Sequence, residues 1–215
     1  MPEVITALSS PSVLAMTFIE GQDLDTLACA QQSVRNKAVE QLITLFLHEL
    51  FTFKLVQTDP NFANYRYQID EQRLVLLDFG ATRELPQHIS DGYKRLLAAA
   101  INSDRKEVAA AAKHIGYFAE GLAQEYTDNV VDIFLLACEP LRFQGEYDFA
   151  NSDLAKRIKE LGLAMSANSE HWHTPPVDAL FVHRKLGGLF LIGATLGAKL
   201  DVNRVYRHFL SAHRQ

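Results

Sequence analysis

Asp59, Asn64 and Asp78 are the residues of this 215-residue chain whose types and spacing could do chemistry. They lie in QTDPNFANYRYQIDEQRLVLLDFGATREL, which runs from Gln57 to Leu85. A carboxylate is followed five residues later by an amide, and a second carboxylate closes a short apolar run nineteen residues after the first. "YRYQI" and "RLVLLDF", split by the polar "DEQ", read as a hairpin. A hairpin returns the chain to its own start, so Asp78 is expected beside Asn64. Two carboxylates and an amide oxygen in one small space suit Mg²⁺, which takes one or two carboxylates together with substrate phosphates. The remaining carboxylate can accept a proton from a hydroxyl or water. Gly80 permits the turn that leaves the Asp78 carboxylate exposed. The plainer alternative makes Asp59-Pro60 a turn and Asp78 a strand terminator.

These residues need a frame. From Ser33 to about Phe53, Val34, Ala38, Leu42, Leu45, Phe46 and Leu50 recur at three- and four-residue steps, which predicts an amphipathic helix with Ser33 as its N-cap. The helix feeds "QTDPNFAN", a loop marked by Asp-Pro and Asn. Ahead of it, "SVLAMTFIEG" reads as a short apolar strand ending in a Gly turn, and "DLDTL" as the start of a short helix. After Arg83 the pattern is helical over residues 89–101, 105–114, 124–138, 152–165, 177–196 and 202–212. "NSD" at 102–104 breaks a helix and caps the next, and "HWHTPP" at 171–176 is a rigid loop. No internal repeat, low-complexity tract or linker interrupts the chain. The expected fold is mainly α with a small β-hairpin, in the α+β class.

Composition narrows the function classes. The net charge is −5, and Lys and Arg are scattered rather than striped, so no nucleic-acid partner is expected. Cys29 and Cys138 form no CxxC and sit in apolar helical contexts, where they read as reduced core residues. "MPEVITALSS" lacks the features of a signal peptide. "LGGLFLIGATLGA", from Leu186 to Ala198, is too short and Gly-rich for a membrane span, which leaves peripheral membrane contact open. His171 and His173 have no third zinc ligand at a suggestive spacing and read as an exposed loop. Gly193 and Gly197 read as close helix packing. His183, Arg184 and Lys185 read as a solvated helix face, with phosphate or lipid headgroups as the alternative. Arg83 can approach a phosphate or pair with Glu84 or another acid. Phe51, Phe53 and Phe62 are expected beneath the loop.

The intervals match the phosphoryl-transfer layout of kinase-like enzymes, in which a catalytic Asp precedes a metal-binding Asn by five residues and Asp-Phe-Gly follows a hairpin. "VLAMTFIEGQDL", "ELFTFKLVQTDPNFANY", "LVLLDFGATREL" and "HRKLGGLFLIGATLGAKL" resemble, in order and over nearly the whole chain, the C-terminal lobe of the UbiB-type or AarF-domain atypical kinases. Gln-Thr-Asp-Pro-Asn and Ala-Thr-Arg-Glu are similar to the coenzyme-Q-associated subgroup. The resemblance implies Mg²⁺ and ATP as cofactors, ATPase or unorthodox kinase activity, and support of ubiquinone biosynthesis. It implies Asp59 as the catalytic residue, Asn64 and Asp78 as metal ligands, and a hinge of Met16, Thr17 and Ile19 at the adenine, with Thr17 and Ile19 using backbone groups.

The same resemblance divides residues 1–215 into a hinge strand region (1–21), a part with the catalytic helix, loop, hairpin and Asp-Phe-Gly (33–85), and a helical subdomain (86–215). His-Arg-Asp and Ala-Pro-Glu are absent, which argues against peptide substrates. No N-lobe, with its strand Lys, helix Glu and Lys-x-Gly-Gln segment, precedes the hinge, so the chain is expected to need that lobe or another subunit and to be inactive alone. Expected partners are nucleotide and quinone-biosynthesis proteins or lipid or quinone precursors at a membrane. The expected location is a bacterial cytoplasm or the mitochondrial matrix, peripheral to the inner membrane. Two other functions stay open: a non-catalytic scaffold with a kinase-like fold, and a small-molecule phosphotransferase of the aminoglycoside-kinase type.

Overall fold

Helix α1 (Gln32–His48) owes its position to its apolar stripe, on which Ala38, Val39, Leu42, Phe46 and Leu47 are buried. The computed structural model describes residues 1–119, 121–167 and 173–213. Helix α1 starts one residue ahead of Ser33, and Gln31 flanks it without a side-chain cap, so Ser33 is not the N-cap. The opening turn points instead at the far end of α7 (Val177–Thr195). Gln32 Nε2 donates to the Gly197 carbonyl at 2.8 Å and Arg35 Nη1 to the Leu196 carbonyl at 2.9 Å. A guanidinium and an amide thus satisfy carbonyls that the end of a helix leaves without partners.

At its other end α1 runs into a π-helical turn, Glu49–Phe53, closed by Lys54 in the left-handed region (φ 51°). The wider turn carries Glu49 and Leu50 into the interior, and Ser90 Oγ donates to the Leu50 carbonyl at 2.7 Å. Among the described residues the strands form three small antiparallel sheets. Strands β1 (Gln22–Asp23), β3 (Tyr65–Gln68) and β4 (Arg73–Leu76) form one sheet in the order β1-β3-β4, so the predicted hairpin is present. Its register pairs Tyr65 with Leu76 and Gln68 with Arg73. Strands β2 (Leu55–Gln57) and β5 (Thr82–Glu84) form a second sheet, and β6 (Tyr147–Asp148) pairs with β7 (Lys199–Leu200).

The remaining helices are α2 (Gln87–Ile101), α3 (Arg105–Ile115), α4 (Gln124–Ala137), α5 (Glu139–Arg142), α6 (Leu154–Ala167) and α8 (Val202–Ala212). The fold is mainly helical with small sheets. Asp104 caps α3 by accepting from the Lys106 and Glu107 amides, as its place in "NSD" predicts. Among the described residues no helix is long and apolar enough to cross a membrane.

Several expectations are corrected. "SVLAMTFIEG" is not a strand. Only isolated bridges form there, Val4 with Met16 and Ser10 with Val13. A strand exists through its ladder partner, and the backbone hydrogen bonds of Val13, Ala15 and Thr17 run to Glu3, Ile5, Ser9 and Ser10 as isolated bridges without a ladder. The strand lies further on, at Gln22–Asp23. Cys29 is exposed, since it ends a short 3₁₀ turn, while Cys138 is buried and its thiol is pushed up to about 12 by burial. Phe53 is exposed rather than packed under the loop, whereas Phe51 and Phe62 do lie against the core. Gly193 sits where a side chain would meet the Phe149 ring at 2.9 Å, so its role is close packing. His173 Nε2 lies 3.1 Å from the Gly116 carbonyl; His171 and Trp172 fall outside the described residues.

Candidate active site

The loop between β2 and β3 is held at its base, along its length and from above. At the base, the Thr58 amide and hydroxyl both donate to the Ala81 carbonyl, at 2.9 and 2.7 Å. That carbonyl lies just past Asp78-Phe79-Gly80, so the β2–β5 pairing joins the loop to the segment that follows the hairpin. Within the loop, Asp59 precedes Pro60, whose ring disfavours helical backbone at the residue before it. Asn61 then caps a 3₁₀ turn, Phe62–Asn64, by accepting from the Ala63 amide at 3.0 Å. This turn brings Asn64 back onto Asp59. Asn64 Nδ2 donates to the Asp59 carbonyl at 2.9 Å and to Asp59 Oδ2 at 3.1 Å.

Asp78 lies where the hairpin predicts. The Leu77 amide donates to the Asn64 carbonyl at 3.0 Å, continuing the β3–β4 register to the residue before Asp78. Asp78 is exposed, and its Oδ1 accepts from the Gly80 amide at 2.7 Å. Gly80 is not in the left-handed region; a side chain there would lie 3.1 Å from Asp78 Oδ1, so the glycine provides room. The structure therefore joins Asp59 to Asn64 directly and joins Asp78 to them through the strand ladder.

The donor set fits Mg²⁺. The Asn64 amide nitrogen is engaged by Asp59, which leaves its oxygen, and one Asp78 oxygen is engaged by Gly80, which leaves the other. Both are hard oxygen donors of the kind Mg²⁺ takes alongside phosphate. Among the described residues no three His, Cys, Asp or Glu side chains are grouped to hold a metal, so an ion here would complete its shell with phosphate or water.

The backbone groups of the residues expected at the adenine differ in how they are engaged. The Thr17 amide donates to the Glu3 carbonyl at 2.9 Å, and its hydroxyl accepts from the Glu3 amide. The Thr17 amide is thus already engaged. The Thr17 carbonyl and both backbone groups of Ile19 carry no hydrogen bond among the described residues. Met16 is exposed and Ile19 is half-buried. A groove of about 570 Å³ lies away from the site, between Phe143–Gly145 and Arg204, Arg207 and His208 on α8.

The support from above comes from α7, and sequence reasoning misplaced it. Arg184 Nη2 donates to Asp59 Oδ1 at 3.1 Å. Lys185 is 1% exposed, not solvated. Its ammonium lies 3.4 Å from Glu49 Oε2 and donates to Gln57 Oε1 at 3.2 Å and to the Tyr65 hydroxyl at 3.0 Å. Burial pushes the Glu49 carboxyl up and the Lys185 amine down, and each partner's charge opposes the shift of the other. Burial, with Glu49 and Asp59 nearby, also raises the Tyr65 phenol. Removing either member of such a pair leaves the other charge buried alone, at a cost of about 3–5 kcal/mol. Gly188, one turn further, packs so closely on Pro60 that a side chain there would lie 2.1 Å from the ring.

A signal for Lys185 was present in the sequence. Ala179, Val182, Leu189 and Ile192 form the buried stripe of α7, and position 185 falls on it. A lone charge on an apolar stripe has a buried partner. His183 belongs to a separate network, Tyr93–Tyr117–His183, with the Tyr117 hydroxyl 2.7 Å from its Nε2. Its ring is enclosed by Tyr93, Tyr117 and Phe134, and burial lowers it to about 4. Arg83 pairs with Asp178 at 3.0 Å and covers the Phe181 ring, so it is engaged away from Glu84.

Comparison with known proteins sets this geometry in a lineage. The family described as "ABC1 atypical kinase-like domain" matches residues 1–112. The "Atypical kinase COQ8B, mitochondrial" of Rattus norvegicus is 34% identical over 96% of this chain and 39% of its own length. The "Atypical kinase COQ8, mitochondrial" of Saccharomyces cerevisiae is 31% identical over 98% of this chain and 42% of its own. This chain thus spans about two fifths of the length of these two relatives. A Mycobacterium tuberculosis protein, Rv3197, solved in complex with erythromycin, superposes with a TM-score of 0.72 at 16% identity, over 97% of this chain and 51% of that one. At that identity the likeness concerns the fold alone. The matched 112 residues include the whole loop, both strands that flank it and Asp78, so Asp59, Asn64 and Asp78 lie within the family's own domain, and this chain belongs to the ABC1 atypical kinase-like family.

Proposed function

We propose that the chain forms the catalytic-loop lobe of a UbiB-type atypical kinase or ATPase that uses Mg-ATP and supports ubiquinone (coenzyme Q) biosynthesis. The observation that carries this reading is the direct contact of Asn64 with Asp59, one ladder step from the strand end that bears Asp78. Asn64 and Asp78 would hold Mg²⁺ through their remaining oxygens. When bound, the ion offsets the charge of the phosphates. Asp59 is then the group that accepts a proton from the hydroxyl or water acceptor. Arg184 and Asn64 fix the two Asp59 oxygens, so that the carboxylate meets the acceptor in one orientation. The Thr17 carbonyl and the Ile19 backbone groups are available to an adenine edge.

The nucleotide would be closed in from above by an N-lobe or another subunit. The relatives are named as mitochondrial. A mitochondrial matrix location, or its bacterial counterpart, peripheral to the inner membrane, fits that reading, as do quinone-biosynthesis proteins or quinone precursors as partners. The test is calorimetry of Mg-ADP binding to the intact two-lobed protein, wild type against Asp78→Asn. Loss of Mg-dependent affinity is expected. Equal affinity in the two would overturn the metal assignment and leave a non-catalytic scaffold as the better reading.

A further inference from the structure

The loop that carries Asp59 and Asn64 starts after Gln57 and ends before Tyr65. One buried ammonium, that of Lys185, touches both flanking residues and is neutralised by Glu49. An ammonium has three protons, and here each has one direction: the π-helical turn after α1, the strand entering the loop and the strand leaving it. The apolar surroundings of Lys185 supply no other reason for a charge on this stripe of α7. Apolar side chains would hold the helix in place as well as an ion pair does, and often better. They could not tie two strand ends to a fixed separation.

We propose that Lys185, held by Glu49, is a positioning residue that sets the span and orientation of the Asp59–Asn64 loop by clamping Gln57 and Tyr65 together. The functional part of this inference rests on the proposed role of that loop in phosphoryl chemistry; the structural part does not. The clamp acts on the loop ends, so it governs where Asp59 and Asn64 sit while contacting neither substrate nor metal. Nucleotide binding would depend on it weakly and transfer strongly, because transfer requires aligned reacting groups.

The experiment uses the 215-residue chain and two variants, Lys185→Met and the double variant Lys185→Met with Glu49→Leu. Hydrogen–deuterium exchange is followed on peptides covering 57–65 and, as a reference, on α2 and α3. The double variant removes both charges, so its melting temperature should equal or exceed wild type. Exchange of residues 57–65 should still rise at least about tenfold, the effect of losing a hydrogen bond to a charged group, with α2 and α3 unchanged. If Lys185→Met alone does not fold, the double variant carries the comparison. A folded double variant whose loop exchanges at the wild-type rate would show that the pair serves only stability, and the proposal falls. The reading of the loop as a catalytic element is checked separately. In the intact protein, the double variant should lower kcat at least about tenfold with the KM for nucleotide within about twofold. A loosened loop with unchanged kcat would leave the clamp standing and overturn the catalytic reading instead.

Discussion

Two adjacent glycines of α7 should respond to the same substitution in opposite ways. Gly187 is exposed, and a side chain there meets nothing within 4 Å. Gly187→Ala therefore changes only helix propensity and should stabilise the chain by about 0.5–1 kcal/mol. Gly188 gains the same propensity term, but its new methyl would lie 2.1 Å from Pro60 Cγ and 2.4 Å from Pro60 Cβ. Ordinary van der Waals contact begins near 3.4 Å, so Pro60 must retreat by about 1.3 Å. A proline ring cannot rotate out of the way, and overpacking of this kind costs about 1–3 kcal/mol. The propensity gain cancels between the two, so the pair should differ by the overpacking cost, about 1–3 kcal/mol, or about 2–12 °C in Tm for a chain of this size. The assay is calorimetric melting of both variants beside wild type. Pro60 adjoins Asp59, and a displacement of about 1 Å is enough to lower turnover about 10²-fold. If Gly188→Ala melts with or above Gly187→Ala, the close seating of the loop on α7 is wrong.

Asp59→Asn in the intact protein should spare Mg-nucleotide affinity and lower turnover about 10²–10⁴-fold; affinity lost as deeply as in Asp78→Asn would show the roles misassigned. His183, lowered to about 4 by burial, excludes a proton that the unfolded chain binds below about 6.5. Its contribution to stability is present above pH 6.5 and lost as pH falls toward 4, so His183→Gln should flatten the pH dependence of the denaturation midpoint in that window, and an unchanged slope would place the acid sensitivity elsewhere. Val4, Leu14 and Met16 are exposed along residues 1–18, and Phe18 is 89% exposed. The chain alone should therefore self-associate and show no ATP turnover; light scattering should give a monomer only once Val4→Lys and Phe18→Asp are introduced, and a monodisperse, ATP-hydrolysing wild type would refute this.

What the sequence made legible follows from covalent reach. Asp59 and Asn64 are five residues apart across a proline and an N-capping asparagine, and Asp78 ends a hairpin whose alternation is plain, so local rules suffice to bring them together. Helices α2 to α4 and α6 to α8 are likewise read from periodicity, because each buries one continuous stripe. Strands β2, β5, β6 and β7 are only two or three residues long and show no alternation, so pairing alone defines them. "SVLAMTFIEG" erred the other way: it has strand composition without a ladder partner. Lys185 was misread because a basic residue in sequence suggests solvent, while its burial depends on Glu49, 136 positions earlier.

That distance has a bearing on how the protein is made. Gln57, Thr58, Asp59 and Asn64 leave the ribosome long before α7 exists; the bond from Lys185 to Gln57 alone spans 128 positions. At about 5–20 residues per second, the motif residues wait on the order of ten seconds for the helix that seats them. In that interval Glu49 has no counter-charge and the loop lacks the helix it seats on. A chain cut short before α7 would keep every residue of the Asp-x-x-x-x-Asn and Asp-Phe-Gly signatures and still lack a defined site. Nonsense and frameshift lesions between the codons for Asp78 and those for α7 should therefore behave as complete losses, even though they spare the motifs.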